Sequence, residues 1–203
     1  MKLNVGIVSV VVLVFLLLPL AAGAIVEPDT KLEYDDTVIL ETAGSSHDLA
    51  VTGVGLREKT FMKVNVYCIV SYVGAGVTLK GDQGQALIEL DAPKMIKMDL
   101  LRGFSREKLV NAFKDVIEKN YEDHSAFAED MDAFFAYFTD DAQEGDALSF
   151  TYLPGEGLRT VLNGEEKGVI ENFEFVKALW TVWFGEKPAS GGLKKNLLAK
   201  VAG

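Results

Sequence analysis

The sequence predicts an α+β protein in which an antiparallel sheet carries helices mostly on one side. Three observations carry this prediction. Strand-like apolar runs cluster in residues 36–73 and again in 147–170. Two helical stripes, the second dense in phenylalanine, separate those clusters, and a third apolar helix with a short fourth one closes the chain. Strands and helices segregated in this way define the α+β class. No internal repeat, low-complexity tract or long linker interrupts the order.

Taken in chain order, the first element is a leader. Lys2 supplies a positive start, an apolar run follows from Ile7 to Leu18, and Pro19 precedes the small-residue pattern Ala22-Gly23-Ala24. This reads as a secretory signal peptide spanning residues 1–24, with one domain over 25–203, and predicts a periplasmic or secreted protein that meets the membrane only during export. An uncleaved anchor is the rival reading, which Pro19 and the small residues oppose. Strands are expected over 37–40, 49–51 and 63–73, broken by Gly44-Ser45-Ser46 and by Gly53 and Gly55. In the last of these, Val64, Val66, Cys68, Val70 and Tyr72 alternate with Tyr67, Ile69 and Val73. Both faces are apolar, so the strand is expected inside a sheet and covered on both sides.

A strand is expected over 95–101, then a helix capped by Ser105 with Leu109, Phe113, Val116 and Ile117 on one stripe. A second helix is expected after Ser125, placing Phe127, Met131, Phe134, Phe135 and Phe138 in the core. Residues 147–153 and 158–162 read as a hairpin around Pro154-Gly155-Glu156-Gly157, and Asn163-Gly164 turns into a strand at 168–170. A third helix over 172–184 buries Phe173, Val176, Trp180 and Trp183 and stops at Gly185; a terminal helix is expected at 193–201.

Composition excludes several chemistries. The formal net charge of −10 becomes −11 once Lys2 is removed with the leader. Such acidity argues against nucleic acid and anionic membrane surfaces as partners. The single cysteine, Cys68, sits among Val66, Ile69 and Val70 and reads as a buried, inert thiol. His47 and His124 lie beside serines and acids and read as solvated surface. One cysteine and two scattered histidines do not make a zinc site. The acids at 129–132 and 140–141 lack calcium-loop spacing. Gly53 and Gly55 lack the third glycine of a dinucleotide fingerprint and lead into a strand, so no cofactor is expected.

One stretch, Gly53-Val54-Gly55-Leu56-Arg57, leads into a strand ending Ile69-Val70-Ser71-Tyr72-Val73. It resembles the glycine-rich turn and following strand of the chalcone isomerase family. The rest of the chain is similar in order: Leu101-Arg102 at a strand end, paired helices, Gly145-Asp146, a Pro-Gly-x-Gly hairpin, Asn163-Gly164, and a helix ending Val182-Trp183-Phe184-Gly185. The resemblance covers roughly residues 45–200 and implies the chalcone isomerase fold. That fold is an open-faced β-sandwich whose large antiparallel sheet and helical layer enclose a ligand cleft. The family includes plant enzymes that close a chalcone into a flavanone, and relatives that bind fatty acids without that activity.

By resemblance, Arg57 takes the position of the arginine that meets the substrate oxyanion in the enzymes and the carboxylate in the binders. With the intervening turn shortened by about two residues, Tyr67 takes a position that is threonine in the enzymes and tyrosine in the binders. Val182 falls where the enzymes carry threonine or serine, and the first helix offers Asn111 but no matching tyrosine. The implied site is Arg57 and Tyr67 at the end of an apolar cleft, with a hydrocarbon tail against the aromatic helices and Trp180 or Trp183. A non-catalytic binder of an apolar carboxylate such as a fatty acid is therefore expected. The alternatives are an isomerase, or intramolecular lyase, of an unsaturated carbonyl compound using Arg57 and Tyr67, and an envelope partner-binding protein with a vestigial cleft. On the residues alone, Arg57 retains a structural reading as the partner of turn carbonyls, and Tyr67 and Trp183 retain readings as core aromatics.

Overall fold

The computed structural model describes residues 23–42, 44–59 and 64–201. The expected leader, residues 1–24, lies outside the described residues except for its last two positions. Strands β1 (Ala24–Val26) and β2 (Glu33–Asp35) form a short ribbon. The main sheet contains β3 (Thr37–Glu41), β4 (Ser46–Lys59), β5 (Val64–Gly74), β6 (Lys94–Leu100), β7 (Ala147–Leu153), β8 (Gly157–Leu162) and β9 (Glu165–Ile170), all antiparallel and paired in chain order. Helix α1 (Gln83–Glu89) interrupts the β5–β6 connection, α2 (Arg106–Asn120) and α3 (Ala128–Ala136) the β6–β7 connection, and α4 (Phe173–Phe184) and α5 (Gly191–Leu197) follow β9. The α+β order holds, with three elements that periodicity missed. The ribbon strands have three residues each and α1 has seven, too short for a repeat to register.

Strand β5 lies between β4 and β6 and is covered on both faces. Ile69 and Val73 face the helices, in a core with Ile96, Met98, Phe150 and α4. Val70 and Tyr72 face the ribbon, packed with Leu49, Val51, Met95, Ile25 and Tyr34. Hydrogen bonds tie the ribbon down: Tyr34 Oη donates to Asp99 Oδ2 at 2.5 Å, and Tyr72 Oη to the Asp35 carbonyl at 2.8 Å. Across β8 and β9 the same face is solvated and charged, with Arg159 bridging to Glu156 and Glu166.

Nine of the twelve residues of α4 are buried, because α1, α2, the sheet and α5 surround it. A helix apolar on all sides is a core helix, as its sequence FEFVKALWTVWF dictates. Its Asn172 cap accepts from Glu174 N at 3.0 Å. Ser105 caps α2 as expected, accepting from Lys108 N. Helix α3 starts later than Ser125, which sits in a turn; Phe127 occupies the cap position without a side-chain bond. The aromatics assemble around Phe113, which meets Phe134, Phe150 and Trp183 edge-on at 5.7, 5.9 and 6.1 Å. Such pairs add about 0.5–1.5 kcal/mol each beyond area burial. His124 is half-buried with its ring edge-on to Phe127 at 6.2 Å, so it is not the solvated side chain expected.

Lys94 is fully buried. Its Nζ donates to the carbonyls of Leu87 and Ile88 at 3.1 and 3.0 Å, closing the C-terminal turn of α1, and stands over the rings of Tyr152, Phe173 and Trp180. Burial pushes its pKa down to about 7, against the pull of Asp91 and Glu89. The unfolded chain therefore binds the extra proton between about 7 and 10.5, and stability should rise with pH across that window. Chemical denaturation from about pH 7.5 to 9.5 should show a slope of up to about 1.4 kcal/mol per pH unit, absent in Lys94→Met. The same slope in both proteins would assign it elsewhere.

Candidate functional site

Glycines 53 and 55 do not form a turn. They sit inside β4, and both lie under α5. A Cβ on Gly53 would stand 2.1 Å from the Asn196 carbonyl oxygen, and one on Gly55 would stand 2.7 Å from Leu193 Cδ1. The glycines thus allow a helix to rest on bare strand backbone. Arg57 follows two residues later on the same face, beyond the N-terminal end of α5, where the sheet is open to a cleft.

Two bulges shape β4 and β5. Thr52 is the extra residue between Val51 and Gly53, and Val66 is the extra residue on β5 opposite the Arg57–Glu58 step. The second bulge breaks the strict alternation expected for β5. Val66 and Tyr67 both border the cleft, instead of pointing to opposite faces. A bulge beside a site re-aims side chains in this way. The Val66 carbonyl is not orphaned, since Leu101 N donates to it at 3.0 Å.

Register brings the site together. Arg57 lies directly across from Tyr67, and Tyr67 across from Leu100, so the three side chains share the helix-facing side. The cleft encloses about 550 Å³ between this end of the sheet, one face of α2, the end of α4 and the α4–α5 loop. That volume is within the range of small-molecule sites. Its walls include Met98, Leu100, Phe113, Val116, Val182 and Trp183, and its rim is cationic. Val182, aligned by resemblance with a hydroxyl residue, lines the cleft as an apolar side chain. Asn111 is exposed and stands outside the lining, as does Trp180. The phenylalanines of α3 belong to the core, not to the cleft.

Trp183 Nε1 donates to Tyr67 Oη at 3.3 Å. Indole is only a donor, so this bond occupies an acceptor lone pair of the phenol and leaves its O–H free to donate. Burial pushes the Tyr67 pKa up to about 12, against the smaller lowering effects of Trp183 and Arg57. The phenol therefore stays protonated near neutral pH. Arg57 is half-buried and its Nη1 donates to the Glu58 carbonyl, which fixes one edge of the guanidinium. The expected trio of Arg57, Tyr67 and Trp183 is thus brought into one cleft, with a cation and a neutral donor side by side.

Sequence reasoning missed the rest of the rim. Lys59, Arg102, Lys108 and Lys119 also line the cleft, with Asp115 as the one acid. The spacing of Lys108, Ala112, Asp115 and Lys119 along α2 is a helical face, a signal available in the sequence but indistinguishable there from ordinary solvated surface. A smaller hollow of about 270 Å³ between the end of α3 and the β7–β8 region is bordered by Asp140, Asp141, Asp146 and Glu165. All four acids are already engaged: Asp141 accepts from Arg106 N at 2.8 Å, Asp146 from Gln143 N at 2.7 Å and Asp140 from Thr139 Oγ1 at 2.8 Å, and Glu165 pairs with Lys167 at 2.7 Å. Its charge does not suit an anionic ligand. Among the described residues, no cluster of histidine, cysteine and acids could hold a metal ion, and no helix is long and apolar enough to cross a membrane.

A curled antiparallel sheet with helices over one face and a cleft at one sheet end define a chalcone isomerase-type fold. The chain belongs to the chalcone isomerase-like family, whose profile matches residues 31–199. Among solved structures it is similar to the crystal structure of a fatty-acid-binding protein of Arabidopsis thaliana. The TM-score is 0.69 at 17% sequence identity, over 87% of this chain and 96% of that one. At that identity the likeness shows a shared fold. No curated protein matches the sequence.

Proposed function

We propose that this protein holds a single-chain apolar carboxylate, such as a fatty acid, in the cleft and does not turn it over. The observation that carries this reading is the pairing of Arg57 with a Tyr67 hydroxyl whose lone pair is already engaged by Trp183. A carboxylate accepts from both: the guanidinium supplies charge and the phenol a directed proton. The tail lies against Leu100, Phe113, Val116 and Val182. Each buried methylene contributes about 0.8 kcal/mol, so the tail dominates affinity and the head fixes orientation. The fatty-acid-binding relative of the same fold supports this reading. The isomerase alternative uses the same two donors on an oxyanion, but the wall around them is apolar where Val182 stands.

Export belongs to the same proposal: the leader pattern ends at Ala24, and a cut there removes the first residue of β1 and the Gly23 carbonyl that accepts from Asp36 N, leaving Ile25 and Val26 paired with Tyr34 and Glu33. The protein then works in a periplasmic or extracellular space as one domain over 25–203.

Titration with laurate or palmitate should change tryptophan emission saturably, because Trp183 lines the cleft. Tyr67→Phe should weaken binding about tenfold, the cost of one hydrogen bond to a charged group. Unaltered emission, together with no lipid retained in native mass spectrometry, would sink the reading. Loss of chalcone absorbance on incubation with the protein, abolished in Arg57→Ala, would establish the isomerase instead.

A further inference from the structure

The charge around the cleft exceeds what one carboxylate needs. The whole chain has 30 acids against 20 basic residues, yet the cleft is lined by five basic side chains and one acid, Asp115. Strand register and the start of α2 show where four of the five sit. Arg57 and Leu100 are level with each other on either side of Tyr67. Strands β4 and β6 run in the same direction, so Lys59 and Arg102, each two residues further on, flank the same end of β5. Lys108 follows within the first turn of α2, immediately after the loop that carries Arg102. Lys119 lies eleven residues further along α2, about 16 Å away, and is separate from this group.

These cations are not neutralised by acids. Among the described residues, Arg57, Lys59, Arg102 and Lys108 form no salt bridge, whereas Lys114, on the same helix, pairs with Glu118. Arg102 is held over the Phe104 ring at 5.5 Å, at the cleft rim. A gathering of like charges that form no salt bridges and face one acid, Asp115, in a chain with an excess of acids, is matched to a multiply charged anion.

We propose that the preferred occupant is a single-chain amphiphile with a phosphate monoester head. The inference rests on the apolar-anion reading above and names its head group. A phosphate monoester carries about −1.5 to −2 charge and three acceptor oxygens, which suits four cations and the Tyr67 hydroxyl better than a carboxylate does. Arg57 and Tyr67 meet the oxygens nearest the tail, and Arg102, Lys108 and Lys59 the outer ones.

Calorimetric titration of the protein with dodecyl phosphate and with laurate, below their micelle thresholds at about pH 8, tests this. Dodecyl phosphate should bind at least tenfold more tightly, a difference of about 1.4 kcal/mol. In Arg102→Gln/Lys108→Gln the ratio of the two affinities should fall towards one, with thermal melting confirming the fold. Equal affinities, or a preference that survives the double variant, overturn the inference and leave the fatty-acid reading standing. Binding of neither amphiphile overturns both. Inorganic phosphate competing as well as dodecyl phosphate would assign the cations to free phosphate and overturn the amphiphile.

Discussion

Arg57→Gln should lower laurate affinity about 100-fold and leave the melting temperature nearly unchanged. The loss corresponds to about 2.7 kcal/mol, within the range for removing a charge-assisted pair from a partly desolvated site. The fold should tolerate the change. Arg57 is half-buried, forms no salt bridge among the described residues, and makes its structural contact with a single carbonyl, that of Glu58. Glutamine keeps a donor near that carbonyl and removes only the charge. Arg159→Gln is the matched control, because Arg159 bridges Glu156 and Glu166 on the solvated face of the sheet. Calorimetry and thermal melting on the same samples decide the matter. A loss of stability with affinity retained would make Arg57 a structural residue, and the cleft would need another anchor.

A second large effect is expected at Gly53→Ala, and it is one of stability. The new methyl would collide with the Asn196 carbonyl oxygen and the Leu197 backbone, neither of which can rotate away. Relief requires lifting α5 off β4. That exposes Leu193 and Leu197, both buried, and breaks the bond from Lys200 N to the Thr52 carbonyl at 2.8 Å. Overpacking of this kind costs about 1–3 kcal/mol and sometimes more. For a chain of this size the melting temperature should fall by about 6–12 °C at the upper end of that range. Gly44→Ala, where no atom lies within 4 Å of the added carbon, should be neutral. Equal melting temperatures for the two variants would show that α5 does not rest on the strand as described.

Much of this fold was legible because its periodic segments are long. Helices α2 and α4, the cap at Ser105, and strands β5 and β7 all follow from spacing and capping chemistry. What escaped was set by contacts distant in sequence. Gly53 and Gly55 look like a turn in isolation, and only the arrival of α5, about 140 residues later, explains them as a contact surface. The bulge at Val66 is likewise invisible to a period of two, since it depends on how β4 and β6 hold their neighbour. The site divides in the same manner. Arg57 and Tyr67 stood out through family likeness, and Trp183 through its place in an apolar helix. Lys59, Arg102 and Lys108 did not, because an exposed basic residue carries no mark of its neighbours until strand register sets it beside them.

The ribbon on the far side of the sheet has a bearing on the chain's only thiol. Cys68 is fully buried, and the Thr30 hydroxyl from the β1–β2 loop approaches its Sγ at 3.9 Å. Burial also raises the thiol's pKa, which depletes the thiolate that oxidation requires. With the ribbon seated, two copies of the protein have no route to a disulfide through Cys68, even in an oxidising space. The same short ribbon that completes the second core therefore also keeps that thiol out of disulfide exchange.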